Sequence, residues 1–217
     1  AGMSAHQFHP TILRAYDIRG IFEDTLTTED AFAIGLSFIN IQMQRGLGNE
    51  VTVGRDGRLS SPALAAALID GLVAGGAQVS DIGCGPTPML YFAAHELGSG
   101  GAIQVTGSHN PPTHNGFKMV MGGLSFFGAD IEELSRVSAA GPDRADNGGV
   151  VSLAIEEAYV DRLAAEGLKF NRCYNSAPTC SPLRQSLYSG LYPVRNGAHP
   201  NHSQVYNGVK SIPHYLK

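Results

Sequence analysis

The sequence predicts an α/β fold: a three-layer α/β/α domain on a mostly parallel mixed sheet, followed by an irregular C-terminal tail. Three observations carry this. Short, β-leaning apolar runs alternate with helical stretches of roughly 10–15 residues, the spacing of strand–helix–strand crossovers. Turns rich in glycine, serine and proline follow several of those runs, where sheets of this kind collect functional groups. The acidic residues end at Glu166, and the composition changes just beyond it.

Residues 12–18 read as an extended segment running into Arg19-Gly20. Thr28 is the expected N-cap of a helix whose apolar period runs from Ala31 to Gln44, with Gly46 ending it. Val51-Thr52-Val53 forms a short buried strand leading to Gly54-Arg55-Asp56-Gly57-Arg58. Ser60 or Ser61, followed by Pro62, opens an alanine-rich helix to Val73. Ala77 to Ile82 is the next strand, and Pro86-Thr87-Pro88 opens a helix through His95. Ala102 to Val105 is a strand feeding Thr106-Gly107-Ser108-His109-Asn110-Pro111-Pro112. Phe117 to Met121 is a strand after Asn115-Gly116. Ala129 to Ala139 and Leu153 to Ala165 have helical periods. This layout puts Arg19, Arg55, Asp56, Arg58 and Ser108 just after predicted strands.

Composition narrows the class. With 43% hydrophobic residues and a mean hydropathy of −0.05, the chain reads as a globular protein. No apolar run approaches the roughly 18 residues of a membrane helix, no signal peptide precedes the fold, and no membrane partner is expected. Ala1-Gly2 ahead of Met3 reads as a cleavage scar. Three cysteines in 217 residues make no disulfide framework, so a cytoplasmic location is expected. A net charge of −4 argues against nucleic acid as a partner.

That mean charge hides a division. Residues 1–168 hold all 19 acidic residues against 9 basic ones, a net −10, while residues 169–217 hold 6 basic residues and no acid. The latter stretch has only 9 Leu, Ile, Val or Phe in 49 residues, too few to build a core readily. Lys169 is therefore the expected boundary. Cys173, Cys180, His199 and His202 fall in the tail, and their spacings match no common zinc pattern.

The loop at residues 106–112 is the first candidate for chemistry. Gly107 permits close backbone approach, and Pro111-Pro112 stiffens the exit. Ser108 then has two readings: a turn serine bonded to local backbone, or a nucleophile that takes and gives a phosphoryl group. A phosphoserine carries about −1.5 to −2 charges and needs cations or a metal nearby. Arg19, His109 and Lys118 are the candidates for that role. Each also has a plainer reading, as an ion-paired surface arginine, a solvated loop histidine and an exposed strand lysine. Tyr16 and Arg19 line a cleft, or else form a buried tyrosine beside an ion pair. Arg55 and Arg58 flank Asp56-Gly57 either as a salt-bridged turn or as ligand contacts. No Gly-x-Gly-x-x-Gly or Walker-type loop is present.

Four stretches carry a resemblance. Arg14-Ala15-Tyr16-Asp17-Ile18-Arg19-Gly20, Gly54-Arg55-Asp56-Gly57-Arg58-Leu59-Ser60, Pro86-Thr87-Pro88 and the serine loop running on to Asn115-Gly116-Phe117-Lys118 stand in a telling order and separation. Over about residues 8–167 the chain resembles the N-terminal domain of the α-D-phosphohexomutases, in the phosphomannomutase/phosphoglucomutase branch.

The resemblance implies that Ser108 is phosphorylated and exchanges its phosphoryl group with the 1 and 6 positions of a hexose phosphate through a bisphosphorylated sugar. It implies Lys118 as general acid/base, Arg19, Tyr16 and His109 around it, and Mg²⁺ bound by the phosphate on Ser108 with aspartates of a later domain. Residues 8–150 would be domain I, 151–168 a helix leading toward a second domain, and 169–217 an atypical basic tail, frame-shifted, otherwise foreign, or disordered. A truncated chain of this kind is expected to have negligible mutase activity alone. Two alternatives stand beside it: a non-catalytic phosphosugar-binding module, and an assembly domain self-associating through the tail or an uncovered face.

Overall fold

Seven strands and five helices succeed one another through residues 5–166, the residues that the computed structural model describes and part of one compact unit. In chain order they are β1 (Ile18–Ile21), α1 (Thr28–Gln44), β2 (Glu50–Arg55), α2 (Ser61–Ala74), β3 (Gln78–Cys84), α3 (Thr87–Glu96), β4 (Gly101–Val105), β5 (His114–Met121), β6 (Leu124–Ser125), α4 (Ala129–Ala140), β7 (Gly149–Ser152) and α5 (Glu156–Glu166).

The sheet is mixed. Its order is β1-β5-β4-β2-β3-β7, with β6 on the end of β5. The β4-β2-β3-β7 side is parallel, as helical crossovers require. Strand β5 runs antiparallel to both β4 and β1. The two strands flanking the serine loop, β4 and β5, are therefore joined as a hairpin rather than by a helix.

Helices α1, α2 and α4 bury one sheet face through Ile18, Phe38, Val51, Val53, Leu68, Ile103, Phe117 and Leu134. Each such side chain contributes about 1.5–3 kcal/mol by leaving water. Alternation puts Ala102 on the other face, with Ile82, Met89, Leu90 and Ala93 under α3 and with Ile155 and Tyr159 beside them. Helices α1 and α2 cross closely: a Cβ on Gly71 would lie 2.0 Å from the Phe32 carbonyl oxygen, and one on Gly35 2.3 Å from that of Leu68.

Several expectations shift. The α1 cap is Thr27, not Thr28, because Thr27 and Asp30 form a reciprocal capping box. The extended segment at 12–18 is a turn with a single bridge, Leu13 to Ile18, and the strand proper begins where it was expected to end. Arg19 thus lies within a strand instead of after one. Strands β6 and β7 were not anticipated, and the helix expected from Leu153 begins at Glu156, since the Leu153 N–H is still bonded to the Asp81 carbonyl of β3. The tail at 169–217, with its cysteines and histidines, lies outside the described residues.

Candidate active site

Strands β2 and β4 run parallel and end side by side, which places the Asp56-Gly57-Arg58 turn against the serine loop. The Asp56 N–H donates to the Val105 carbonyl at 2.9 Å, extending the ladder by one rung. Asp56 Oδ2 then accepts the Gly107 N–H at 3.1 Å, and Oδ1 accepts the Ser61 hydroxyl at 2.5 Å and the Arg58 N–H at 3.1 Å. Burial pushes the Asp56 carboxyl up, but the donors from Ser61, Arg58, Thr106 and Gly107 outweigh it and hold its pKa below the ordinary value. Buried Asn115 completes the network, donating to the hydroxyls of Ser60 at 2.8 Å and Ser61 at 2.9 Å.

The Arg58 guanidinium spreads under the loop. It donates to the carbonyls of Pro111 at 2.7 Å, His114 at 3.0 Å, Ser108 at 3.0 Å and Asn110 at 2.7 Å, and its Nε faces Asp56 at 3.3 Å. Gly107 is what lets it lie there, since a Cβ on that residue would stand 2.3 Å from Arg58 Cζ.

Arg19 grips the loop from β1. Its NH2 group pairs with Asp17 at 2.5 Å and NH1 reaches the Gly107 carbonyl at 3.4 Å. The Asn110 amide, turned so that its oxygen meets donors, accepts from Arg19 Nε at 3.2 Å and from NH1. Two arginines, each oriented by the aspartate two residues before it, thus hold one short loop between them.

Within this frame Ser108 adopts φ +50°, in the left-handed region that non-glycine residues rarely enter. Its N–H donates to Thr106 Oγ1 at 2.9 Å and its carbonyl accepts from Arg58. Its exposed hydroxyl makes no hydrogen bond among the described residues. The local turn role that one reading gave to Ser108 belongs to Thr106. Strain held by surrounding structure, with a free polar atom at its tip, is common where chemistry occurs.

His109 is exposed beside Ser108, and its ring makes no hydrogen bond among the described residues. Lys118 is half-buried on β5, two residues from Gly116, which lies opposite Arg19; alternation puts Lys118 and Arg19 on one face of the sheet. Tyr16 is 81% exposed and stacks on Phe127 at 6.1 Å, with no hydrogen bond to the serine loop, so it is not the buried tyrosine of the plainer reading. Arg55 ends β2 and makes no ion pair among the described residues. Two cavities lie away from the loop, one of about 460 Å³ beside His6, Phe32 and Arg144 and one of about 580 Å³ around Gly98–Ala102.

Comparison with known proteins supplies the deciding observation. Residues 10–142 match the family model of the phosphoglucomutase/phosphomannomutase α/β/α domain I. The chain belongs to this family. Its relatives include the phosphomannomutase/phosphoglucomutase of Pseudomonas aeruginosa, 51% identical over 124 residues, which are 57% of this chain and 27% of that protein. The phosphoglucomutase of Neisseria gonorrhoeae is 42% identical over 168 residues, 76% of this chain and 36% of its own. A solved phosphoglucomutase/phosphomannomutase family protein from Burkholderia thailandensis superposes with a TM-score of 0.70 at 39% identity, covering 76% of this chain and 38% of the other. The chain thus spans about a third of the length of these relatives.

A second family model, the sulfatases, matches residues 143–217. Its first part overlaps the phosphomutase-like fold, because β7 pairs with β3 and Ile155 and Tyr159 pack under α3. Within residues 143–166, β7 and α5 complete the same sheet and the same core as the residues before them.

Members of the phosphoglucomutase/phosphomannomutase family depend in general on a metal ion. The carboxylates nearest the loop, Asp17 and Asp56, are committed to Arg19 and Arg58. No group of three or more His, Cys, Asp or Glu suited to a metal occurs among the described residues. These residues do not by themselves make a metal site. No described helix is long and apolar enough to cross a membrane.

Proposed function

We propose that this domain is the phosphoserine part of a phosphohexomutase, with phosphorylated Ser108 giving its phosphoryl group to a hexose phosphate and taking one back from the bisphosphorylated sugar that forms. The observation that carries the reading is the Ser108 hydroxyl, exposed and without a hydrogen bond among the described residues, on a backbone fixed by Thr106 and Arg58. A phosphoryl acceptor needs a positioned oxygen and compensating charge more than covalent help from its surroundings. Arg19 supplies charge: one N–H of its NH2 group has no partner among the described residues and can turn to a phosphate on Ser108.

In the giving step the sugar hydroxyl oxygen bonds to phosphorus and the Ser108 Oγ–P bond breaks. The proton leaving the sugar hydroxyl ends on Ser108 Oγ, and Lys118 is the residue we place as its relay. We assign His109 to the transferring group by its position beside Ser108, and Tyr16 with Phe127 to the rim that a sugar ring would meet. Mg²⁺ is the metal proposed for the complete enzyme, with the phosphate on Ser108 as its ligand from this domain. A hexose phosphate and a cytoplasmic location complete the reading.

The test is incubation of the chain with a hexose 1,6-bisphosphate, followed by intact-mass and peptide analysis. A gain of one phosphoryl group at Ser108, absent in S108A, supports the proposal; phosphate elsewhere, or none, overturns it. Undiminished phosphosugar binding by S108A without any transfer would favour the binding-module alternative.

A separate observation bears on residues 169–217. The match to a sulfatase model and the loss of all acidic residues after Glu166 together support a separate origin for this segment. A frame-shifted stretch would carry no family pattern, so we propose an in-frame junction. Sequencing the gene across it decides the matter: phosphomutase coding sequence continuing in another frame beyond codon 168 refutes the junction.

A further inference from the structure

We propose that Arg58 is the positioning residue of the serine loop, setting the conformation from which Ser108 transfers a phosphoryl group; the inference rests on the function proposed above. A guanidinium has five N–H donors. The two on NH1 meet the carbonyls of Pro111 and His114, the two on NH2 meet those of Ser108 and Asn110, and Nε faces Asp56. The four terminal donors are thus used inside the protein, and the Nε edge faces a carboxylate. Arg58 therefore cannot turn its NH1 or NH2 group to a phosphate without releasing a loop carbonyl, whereas Arg19 keeps a donor without a partner among the described residues.

Three of the four carbonyls it gathers belong to one irregular loop, and the fourth to the first residue of β5. A loop of this kind, with two prolines and a residue at φ +50°, has no ladder of its own to hold it. Arg58 acts as that ladder, at the carbonyl of Ser108 itself and at three that follow it, while Arg19 reaches the Gly107 carbonyl just before it. Asp56 fixes the guanidinium and also the Gly107 N–H, so the clamp and the residue before the nucleophile share one carboxylate. Lysine has three donors on a flexible stem and cannot reproduce this planar fan.

The experiment uses the whole chain as wild type, R58K, R58Q, R58A and D56N. Circular dichroism confirms folding, which is expected because the Arg58 side chain sits at the surface end of the sheet, outside the apolar core. Amide exchange at Gly107, Ser108, Asn110 and His114 should quicken about tenfold or more in R58Q and R58K while β4 amides keep their protection. Phosphorylation of Ser108 by a hexose 1,6-bisphosphate should slow about 100-fold at saturating donor, the size that a misplacement of about 1 Å produces, with the donor's half-saturation little changed. Added guanidinium ion, unlike urea, should restore part of the rate in R58A. D56N should show the same pattern more weakly. Wild-type rate in R58K, or unchanged loop exchange in R58Q, overturns the inference. If wild-type Ser108 takes no phosphate, the functional reading fails while amide exchange still judges the clamp. If R58Q does not fold, R58K and D56N decide.

Discussion

Asp56 accepts the backbone N–H of Gly107 at 3.1 Å, tying the end of one parallel strand to the residue before Ser108, just past the end of the next. With the Ser61 hydroxyl and Arg58 on the same carboxylate, one ionised group organises three segments.

The first prediction concerns pH. Asp56 has a folded pKa below its ordinary value of 3.8. A group depressed in this way adds stability that is present above its unfolded pKa and is lost as pH falls through the folded one. In thermal melts, D56N should be less stable than wild type at pH 7 by about 1–3 kcal/mol, the range for losing bonds to a charged acceptor. The gap should be retained down to about pH 4 and close below it. A gap that stays constant from pH 7 to pH 2.5 refutes the assignment.

Gly107 gives the second. A Cβ there meets Arg58 Cζ and Nε at 2.3 Å and the His114 carbonyl at 2.7 Å, groups that are themselves pinned. G107A should push the guanidinium out of its fan. Most of the core lies elsewhere, so the melting temperature should fall by only a few degrees, while Ser108 phosphorylation drops by about 100-fold. The pairing of a small stability change with a large loss of transfer is the result to look for.

The third sits in the helical layer. On α2, a Cβ at Gly71 falls 2.0 Å from the Phe32 carbonyl oxygen, and neither backbone can yield without parting the helices. G71A should destabilise by about 2–3 kcal/mol, the range for overpacked interiors, even though alanine is the better helix former. Urea titration measures it. A gain in stability would mean that α1 and α2 separate easily.

Arg45 gives a fourth prediction, on the outer surface. It pairs with Asp130 at 2.7 Å and Glu133 at 2.5 Å on α4 and lies over the Phe126 ring at 5.7 Å. The hydrogen bond to Asp130 leads the effects that raise its pKa. At this exposure, R45A should cost about 0.5–1 kcal/mol, less in high salt. The remainder at high salt measures the contact with Phe126.

The sequence made most of the scaffold legible because its signals are local. The apolar run at Val51-Thr52-Val53, the prolines near the starts of α2 and α3 and the period of α1 each report on their own neighbourhood. Strand β7 gave little signal: it is four residues long, and Val150 and Val151 are both exposed on the sheet edge. Two threonines stood at the start of α1, and only the partner three residues on, Asp30, distinguishes them. At the candidate site, Ser108 and Arg19 stood out because each lies in a short patterned segment. The role of Arg58 did not, since the carbonyls it holds lie 50 to 56 residues later and no spacing encodes a backbone acceptor. One sign was available: an aspartate stands two residues before an arginine both at Asp17-Ile18-Arg19 and at Asp56-Gly57-Arg58, and both pairs face the same loop.

The last prediction sets stability against chemistry at Ser108. Its φ of +50° is sterically unfavourable for any side chain and costs on the order of 1–3 kcal/mol. Glycine enters that region freely but also gains freedom in the unfolded chain, which offsets about 0.4–1 kcal/mol. S108G should therefore raise stability by about 1 kcal/mol while removing the hydroxyl and all phosphate uptake. S108A keeps the strain and should melt close to wild type. Comparing the two in one set of melts isolates the backbone term, since both lack the hydroxyl and differ only in Cβ. Equal melting temperatures for S108G and S108A would mean that the loop relaxes out of the left-handed conformation once the hydroxyl is gone. A higher value for S108G alone would mean that Arg58 and Asp56 impose the conformation on whatever residue stands there.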